Sequence, residues 1–332
     1  MTDPRGSLER LAEAGGTPFP NLLAARERTR VELERLRGAL ADVPHDPDAA
    51  VVLMGSWGRA ELTGGSDDDY MLLVDGPERD AVRPAPADLA GVLGSESREP
   101  GPEGVFGDVV FAQDLQERIG LAHDSNANMT RRLLLLLESV PASGAGPWAS
   151  AREGLLRAYL ATAAERRPPR FFLNDVFRYW RTIAVDFEGK DRTRGGEKWG
   201  LRSAKLRTSR KLLFASGLVP ILECHNRTVA DMALFLAEQF AAPPTDRLAG
   251  AFLRYDAVDP GVRTLGAYDR FLGLLGEPGF REHLESLTEA GAAGSEEFAV
   301  VRELADELQA GLLALLFEDR RLYPLIREYG IF

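Results

Sequence analysis

The stretch that decides the fold is AVVLMGSWGRAELTGGSDDDYMLLV, residues 50–74. It begins with a short apolar run, residues 50–54, and ends with a second one, residues 70–74. Short continuous apolar runs with glycine or aspartate at their borders are typical of strands that are buried on both faces of a sheet. We therefore predict two buried strands joined by a polar loop.

Three successive aspartates end this loop. Asp67 and Asp69 are two residues apart, so on an extended chain both carboxylates point to one face and Asp68 points to the other. Two clustered carboxylates form a hard oxygen site of the kind that suits Mg²⁺ or Mn²⁺. We therefore predict that Asp67 and Asp69 bind metal, and we assign no metal role to Asp68.

The first strand ends in Gly55-Ser56. Gly55 permits a sharp turn and a close backbone approach, and Ser56 offers a hydroxyl and an N–H group. Residues 57–62 can start a helix, whose N-terminus would present unpaired N–H groups to a phosphate, and Arg59 would add a charged donor. A phosphate cradle beside paired carboxylates predicts metal-assisted transfer at a nucleotide phosphate. One ion would orient the triphosphate, and a second would lower the pKa of the attacking hydroxyl.

A second ion usually needs a third carboxylate. Asp108 is the leading candidate, because it is the charged residue in an otherwise apolar third strand predicted at residues 107–111. A charge in such a strand is costly unless it is paired or bound to metal. The alternative is that Asp108 simply starts the strand at a solvated edge. Asp114 and Glu103 are the other candidates for the third ligand.

Gly55-Ser56, ten further residues and Asp67-x-Asp69 together resemble the signature of the DNA polymerase β-like nucleotidyltransferase superfamily. The longer string is similar to the branch that holds the uridylyltransferase of the nitrogen-regulatory signal protein and related bacterial nucleotidyltransferase domains, with the approximate motif GSxGRxEQT…DxDxxLI. The matching residues are Gly55, Ser56, Gly58, Arg59, Glu61, Thr63, Asp67, Asp69, Leu72 and Leu73, and Leu62 replaces the Gln of the motif. The resemblance covers residues 51–75 most closely and extends to about residue 138.

The resemblance implies a small mixed sheet flanked by helices, with the active site on one open face. It also implies an enzyme of the EC 2.7.7 type, in which an acceptor hydroxyl attacks the α-phosphate of an NTP in line and pyrophosphate leaves. In the branch named above the acceptor is a protein tyrosine; other members modify small molecules such as aminoglycosides, or RNA 3′ ends. The competing class is a non-catalytic nucleotide-sensing module, and the intact Asp67 and Asp69 count against it.

We expect two domains, because 332 residues exceed the roughly 250–300 at which single cores stop growing. We predict an α+β nucleotidyltransferase domain over residues 1–144, with an amphipathic helix at 21–43, and an all-α helical-bundle domain over residues 145–332. The segment SVPASGAGP, residues 139–147, is the predicted linker, because small residues, glycine and proline favour an irregular connection.

The formal net charge of −11 is unevenly distributed. Residues 165–211 hold 14 basic and six acidic side chains, a local charge of +8 within a body of −19. We predict that one helix face in this segment closes over the triphosphate, with Lys205 and Arg202 as first candidates and Arg178 and Arg181 next. Arg207, Arg210 and Lys211 fall on a different face at helical spacing. The alternative is that these are solvated helix faces.

Composition limits the kinds of partner and the cellular compartment that we expect. The N-terminus has no apolar signal sequence and no apolar run reaches the ~20 residues of a membrane span, so we expect no membrane partner. A single cysteine, Cys224, fits a reducing cytoplasm, and the four histidines lack metal-ligand spacing. The acidic body makes an extended nucleic acid an unfavourable partner, although a tRNA end could reach the basic segment. The expected partners are an NTP and an acceptor protein or small molecule.

Overall fold

The computed structural model describes residues 6–84, 89, 92, 93, 106–194 and 198–331, without the side chains of residues 190–194 and 331. This part of the chain contains a four-stranded sheet in the order β3-β2-β1-β4. Strand β1 pairs antiparallel with β2 and β4, whereas β2 and β3 are parallel, so the sheet is mixed as expected. The strands are β1 (Ala49–Leu53), β2 (Tyr70–Val74), β3 (Val109–Phe111) and β4 (Val140–Pro141).

Helices make up most of the remaining described chain, and none of those described is long and apolar enough to cross a membrane. They are α1 (Ser7–Gly15), α2 (Pro20–Leu40), α3 (Ala112–Glu117), α4 (Asn126–Leu137), α5 (Ala145–Leu160), α6 (Arg170–Arg194), α7 (Trp199–Lys205), α8 (Lys211–Leu222), α9 (Val229–Ala241), α10 (Pro244–Arg254), α11 (Val258–Leu275), α12 (Pro278–Ser286), α13 (Glu289–Ala292), α14 (Glu296–Leu313) and α15 (Tyr323–Leu325). Short π-helical segments span Leu206–Arg210, Ala314–Glu318 and Ile326–Ile331.

Both faces of the sheet are buried, which explains the continuous apolar runs in β1 and β2. Side chains alternate between the two faces with a period of two. Val52 and Leu73 belong to the large core that includes helices α4 and α5, whereas Val51 and Leu72 belong to a smaller core that α2 covers. The sheet is therefore the middle layer between α2 and the helices of the larger core.

The two N-terminal helices begin against carboxylates from the far end of the chain. The N–H of Leu8 in α1 donates to Oδ1 of Asp246 in α10 at 3.0 Å. The N–H of Leu22 in α2 donates to Oδ1 of Asp269 in α11 at 2.8 Å. Neither helix has a capping side chain of its own. The distant aspartates thus satisfy free N–H groups and complement the positive ends of both helix dipoles.

The predicted linker is built into the sheet. Residues 139–147 contain β4 and the first residues of α5, and Val140 pairs with Leu53 of β1. Gly144 has a φ of +64°, and a Cβ there would lie 2.1 Å from the backbone oxygen of Ala49. Small residues, glycine and proline occur in this segment because it packs tightly on β1.

Helix α4 carries a buried ionic cluster beside its leucines. Arg132 is completely buried and donates two hydrogen bonds of 2.6 Å to the carboxylate of Asp124. It also donates to Asp175 of α6 and, at 2.7 Å, to the hydroxyl of Tyr159 in α5. Tyr159 in turn donates to Asp175 at 2.8 Å. One guanidinium therefore connects three helices of the core.

Candidate functional site

The turn after β1 brings the chain against Asp69. Gly55 has a φ of +63°, in the left-handed region that glycine adopts without strain. A Cβ at Gly55 would lie 2.8 Å from Oδ2 of Asp69. The missing side chain therefore leaves the space that the carboxylate occupies, and a larger residue at this position would displace it.

Residues 55–60 form successive turns, so the prediction of a helix starting here is wrong. The N–H of Arg59 donates to the carbonyl of Gly55 at 3.0 Å, but Ala60 has a φ of +58° and interrupts any helical path. Gly58 lies so close to the end of α4 that a Cβ would be 1.9 Å from the backbone oxygen of Glu138. The turn is thus held in a fixed position between β1 and α4.

The turn nevertheless presents the N–H groups that a phosphate needs. Within the described part of the chain, the backbone N–H groups of Ser56, Trp57 and Gly58 donate to no protein acceptor. Free N–H groups in a turn can bind an anion without a helix. Of these three residues, Ser56 lines the cavity described below, whereas Trp57 and Gly58 line a different cavity.

The alternation predicted for the three aspartates is found in the structure. Asp67 and Asp69 both line one cavity, whereas Asp68 is buried on the other side and accepts a 2.9 Å hydrogen bond from Nε1 of Trp57. The side chain of Asp67 is 50% exposed. Burial raises the pKa of Asp69 to about 6, against the attraction of Arg210 and Lys205. Asp69 is therefore a largely desolvated carboxylate facing cationic groups.

Asp108 is not brought to this cavity. Its side chain is 56% exposed and accepts a 2.6 Å hydrogen bond from Arg131 of α4, just before β3 begins. Asp114 pairs with Arg118, and Glu103 lies outside the described residues. Over the described residues, no three His, Cys, Asp or Glu side chains come together in a group able to hold a metal ion. Among the described residues, Asp67 and Asp69 thus have no third acidic side chain close enough to share a metal ion with them.

Lys205 lies in the cavity as predicted, and Arg210 joins it there. Ideal α-helical spacing would separate these two residues by about 140° around the axis. Residues Leu206–Arg210, however, form a π-helical turn, whose i to i+5 pattern brings residues five apart onto nearly the same side. The prediction that Arg210 belongs to a different face is therefore wrong because the helix widens between the two residues.

Arg281 of α12 is a cavity residue that the sequence analysis missed. Its Nη2 lies 3.9 Å from Oδ1 of Asp67, and its Nε donates to Glu285 at 3.0 Å. A Cβ on Gly65 would come within 2.8 Å of the Arg281 side chain, so the Gly64-Gly65 loop gives this arginine its space. Nothing local marks Arg281, because it reaches the site from more than 200 residues along the chain.

The other predicted phosphate-binding residues lie elsewhere. Arg178 donates to Asp124 and Asn126, and Arg181 is exposed on the same helix, α6. The guanidinium carbon of Arg202 lies 5.9 Å from the ring centre of Phe187. None of these three arginines is among the described residues that line the cavity. Arg178 and Arg202 contact neighbouring residues of the helical core, and Arg181 lies on the exposed face of α6.

Arg59 lines the cavity but is already held by two acids. It donates to Glu61 at 2.8 Å and to Glu138 at 2.6 Å. Tyr268 donates to Glu61 at 2.6 Å, and Nη1 of Arg210 lies 3.3 Å from Glu138. This network fixes the position of Arg59 and Arg210 at the cavity wall.

The resulting cavity has a volume of ≈ 50 Å³ and opens to solvent. It joins the Gly55-Ser56 turn and the Asp67/Asp69 pair to a cationic wall. Burial and the neighbouring Arg281 lower the pKa of Lys205 to about 8, so its amine is still mostly charged at neutral pH. Four cationic and three acidic side chains line the cavity: Arg59, Lys205, Arg210 and Arg281, with Glu61, Asp67 and Asp69. This mixture suits an anion that arrives with a metal ion.

Comparisons with known proteins do not assign the chain to a family or a function. No family model, curated protein or solved structure matches the chain. The superfamily resemblance of residues 51–75 therefore stays an expectation that rests on the motif, and any function must be argued from the cavity itself.

Proposed function

We propose that the protein is a Mg²⁺-dependent nucleotidyltransferase that moves an NMP from an NTP to an acceptor hydroxyl of a protein or small molecule. The observation that carries this proposal is the convergence of three elements in one cavity. These are the Gly55-Ser56 turn with the free N–H of Ser56, the Asp67/Asp69 pair and the cationic side chains of Lys205, Arg210 and Arg281.

The carboxylate pair fits a divalent ion. Asp67 and Asp69 supply hard oxygen ligands, and Gly55 leaves Asp69 open to the cavity. Asp69 is also held in a desolvated position where its charge lacks a direct ion pair among the described residues. When bound there, Mg²⁺ would neutralise phosphate charge and orient the triphosphate. A second ion stays a prediction from the resemblance.

The protein's own groups perform the rest of the chemistry. The N–H and hydroxyl groups of Ser56 bind phosphate oxygens, and Lys205 and Arg210 stabilise the negative charge that develops on the departing pyrophosphate. The acceptor oxygen forms a bond to the α-phosphorus as the bond to the β-phosphate bridge breaks, and the hydroxyl proton is lost to water. Glu138 forms ion pairs with both Arg59 and Arg210, and these pairs hold Arg210 in place before the substrate binds.

Label transfer from each of four α-labelled NTPs tests the proposal. With Mg²⁺ and a cell extract as the acceptor source, one NTP should label a protein or small molecule and release pyrophosphate, and EDTA should abolish both signals. NTP binding without transfer in any extract would instead identify a nucleotide-sensing module. The absence of both binding and transfer would refute the proposal.

Substituting Asp108 tests whether it is a third metal ligand beside Asp67 and Asp69, as the sequence predicts, or lies outside the site, as in the structure. Because Asp108 is exposed and paired with Arg131, Asp108→Asn should leave the rate of transfer close to that of the wild type. Steady-state kinetics with the active NTP provide the measurement. A loss as large as that of Asp69→Asn would show that Asp108 leaves Arg131 and joins the metal site during turnover.

A further inference from the structure

A second cavity lies behind the Gly55-Ser56 turn, with a volume of ≈ 290 Å³. Helix α2, the end of α4, helix α5 and the junction between α9 and α10 form its walls, and Trp57, Gly58 and Ala60 contribute the back of the turn. The proposed nucleotidyltransferase reaction makes no use of this space.

A buried, charged side chain lines this cavity without a carboxylate partner. Arg152 of α5 is 9% exposed, and Nη2 donates to the backbone oxygen of Phe240 at 2.7 Å. Its guanidinium carbon also lies 4.5 Å from the ring centre of Trp148. Within the described chain, no Asp or Glu side chain forms an ion pair with Arg152. Burial lowers the pKa of Arg152 to about 10, so it remains charged at neutral pH.

A second buried arginine reinforces this positive charge. Arg247 of α10 is 2% exposed, lies 5.3 Å from the ring centre of Phe240 and donates to the backbone oxygen of Leu137. Its Nε and Nη1 have no hydrogen-bond partner among the described residues. Burial and the charge of Arg152 lower the pKa of Arg247 to about 9. Glu138 attracts it from a longer range but is already shared by Arg59 and Arg210.

Helix dipoles compensate for part of this charge. Phe240 and Leu137 lie at the C-terminal ends of α9 and α4, where each helix carries roughly half a negative charge. Two guanidinium groups against two such ends leave about one positive charge uncompensated. Arg26 and Arg30 also line the cavity, but Asp246 neutralises the first, and Glu27 and Glu34 neutralise the second. The excess charge therefore lies at Arg152 and Arg247.

The remaining walls of this cavity are mainly apolar. Trp148 stands beside Arg152, and Leu33, Trp57, Val140 and Phe240 complete the lining that surrounds the charge. Together these features match a ligand that has one negative charge and a planar apolar body. We propose that this cavity is a second binding site, for a small organic anion, distinct from the NTP site.

An occupant of this second site would touch the reverse side of the Gly55-Ser56 turn. Trp57, Gly58 and Ala60 face the second cavity, while Ser56 and Arg59 of the same turn line the first. A ligand in the second site would thus contact the same turn, residues 55–60, that carries Ser56 in the first cavity. The binding proposal itself does not require the enzyme assignment to be correct.

Calorimetric titration of the full chain with 1-naphthoate, compared with the neutral 1-naphthamide, tests the site. Because hydrogen bonds to charged groups are stronger than neutral ones, the wild type should bind the anion at least about tenfold more tightly than the amide. Arg152→Gln should remove this preference. Glutamine retains an N–H donor for Phe240, and a thermal melt will show whether the variant is folded.

Arg157→Gln is the matched control, since Arg157 lies on the same helix but is exposed and paired with Glu153. It should keep the wild-type preference for the anion. Equal binding of both probes by the wild type, an unchanged preference in Arg152→Gln, or no binding of the anion would each overturn the proposal.

Discussion

Asp69→Asn should lower the rate of nucleotide transfer by more than about 100-fold. Substituting a residue that only hydrogen-bonds to a metal ligand typically lowers metal affinity or activity about 10–100-fold, and losing the ligand itself should have a larger effect. The amide keeps the shape of the side chain but loses the charge that attracts the ion. Asp69 also faces Lys205 and Arg210, so removing its charge changes the field in which the triphosphate would bind. Initial rates with saturating Mg²⁺ and NTP measure the effect.

A metal-binding measurement separates a lost ligand from a damaged fold. Mn²⁺ titration followed by electron paramagnetic resonance should show weaker binding for Asp69→Asn and Asp67→Asn, with melting temperatures near that of the wild type. Asp114→Asn is the control, since this half-buried aspartate pairs with Arg118 and does not line the cavity. Wild-type transfer rates in both cavity variants would refute the metal assignment.

The central part of the candidate site could be predicted because it is local in sequence. Two buried strands, the glycine turn and the two-residue periodicity of Asp67 and Asp69 are all encoded within 25 residues. The predicted β2 has the observed bounds, and β1 is displaced by one residue. Its cationic wall could not be predicted in the same way, since Arg210 depends on a π-helical turn and Arg281 reaches the site from another part of the chain.

The helices and strands also differ in whether local sequence or contacts with distant residues determine them. Helix α2 could be predicted from its apolar periodicity. Helix α1 also has apolar residues at helical spacing, Leu8 and Leu11, but it is short and Asp246 from α10 completes its N-terminus. The composition around β4 indicates a linker, because a two-residue strand is defined by its pairing with β1 and not by its own residues. Both α1 and β4 depend on contacts between residues far apart in the sequence, and a local sequence pattern does not show such contacts.

The basic segment, residues 165–211, divides into two kinds of residue. Lys205 and Arg210 line the cavity, whereas Arg178 and Arg202 take part in contacts within the helical core. A local charge of +8 therefore overstates the positive field at the cavity. The geometry, and not the count of charges, identifies which cations can meet a phosphate.

Arg132→Met should reduce the free energy of unfolding by about 3–5 kcal/mol, the usual cost of removing one partner from a buried ion pair. Methionine fills much of the same volume, so the loss comes mainly from charge and hydrogen bonding. Asp124 and Asp175 would keep only the more distant Arg178 as a cationic partner, at 3.2 and 3.7 Å, and the Tyr159 hydroxyl would lose a donor. Urea-induced unfolding measures the difference.

Arg131→Met provides a matched control on the adjacent residue of α4. Arg131 is 14% exposed, but its partner Asp108 is 56% exposed, and pairs open to solvent on one side contribute less than fully buried ones. The control should therefore be destabilised far less than Arg132→Met. Similar unfolding curves for the two variants would contradict the structural role of the buried cluster. A clear difference would show that the Asp124–Arg132–Asp175 cluster, more than charge at the surface of α4, stabilises the junction of α4, α5 and α6.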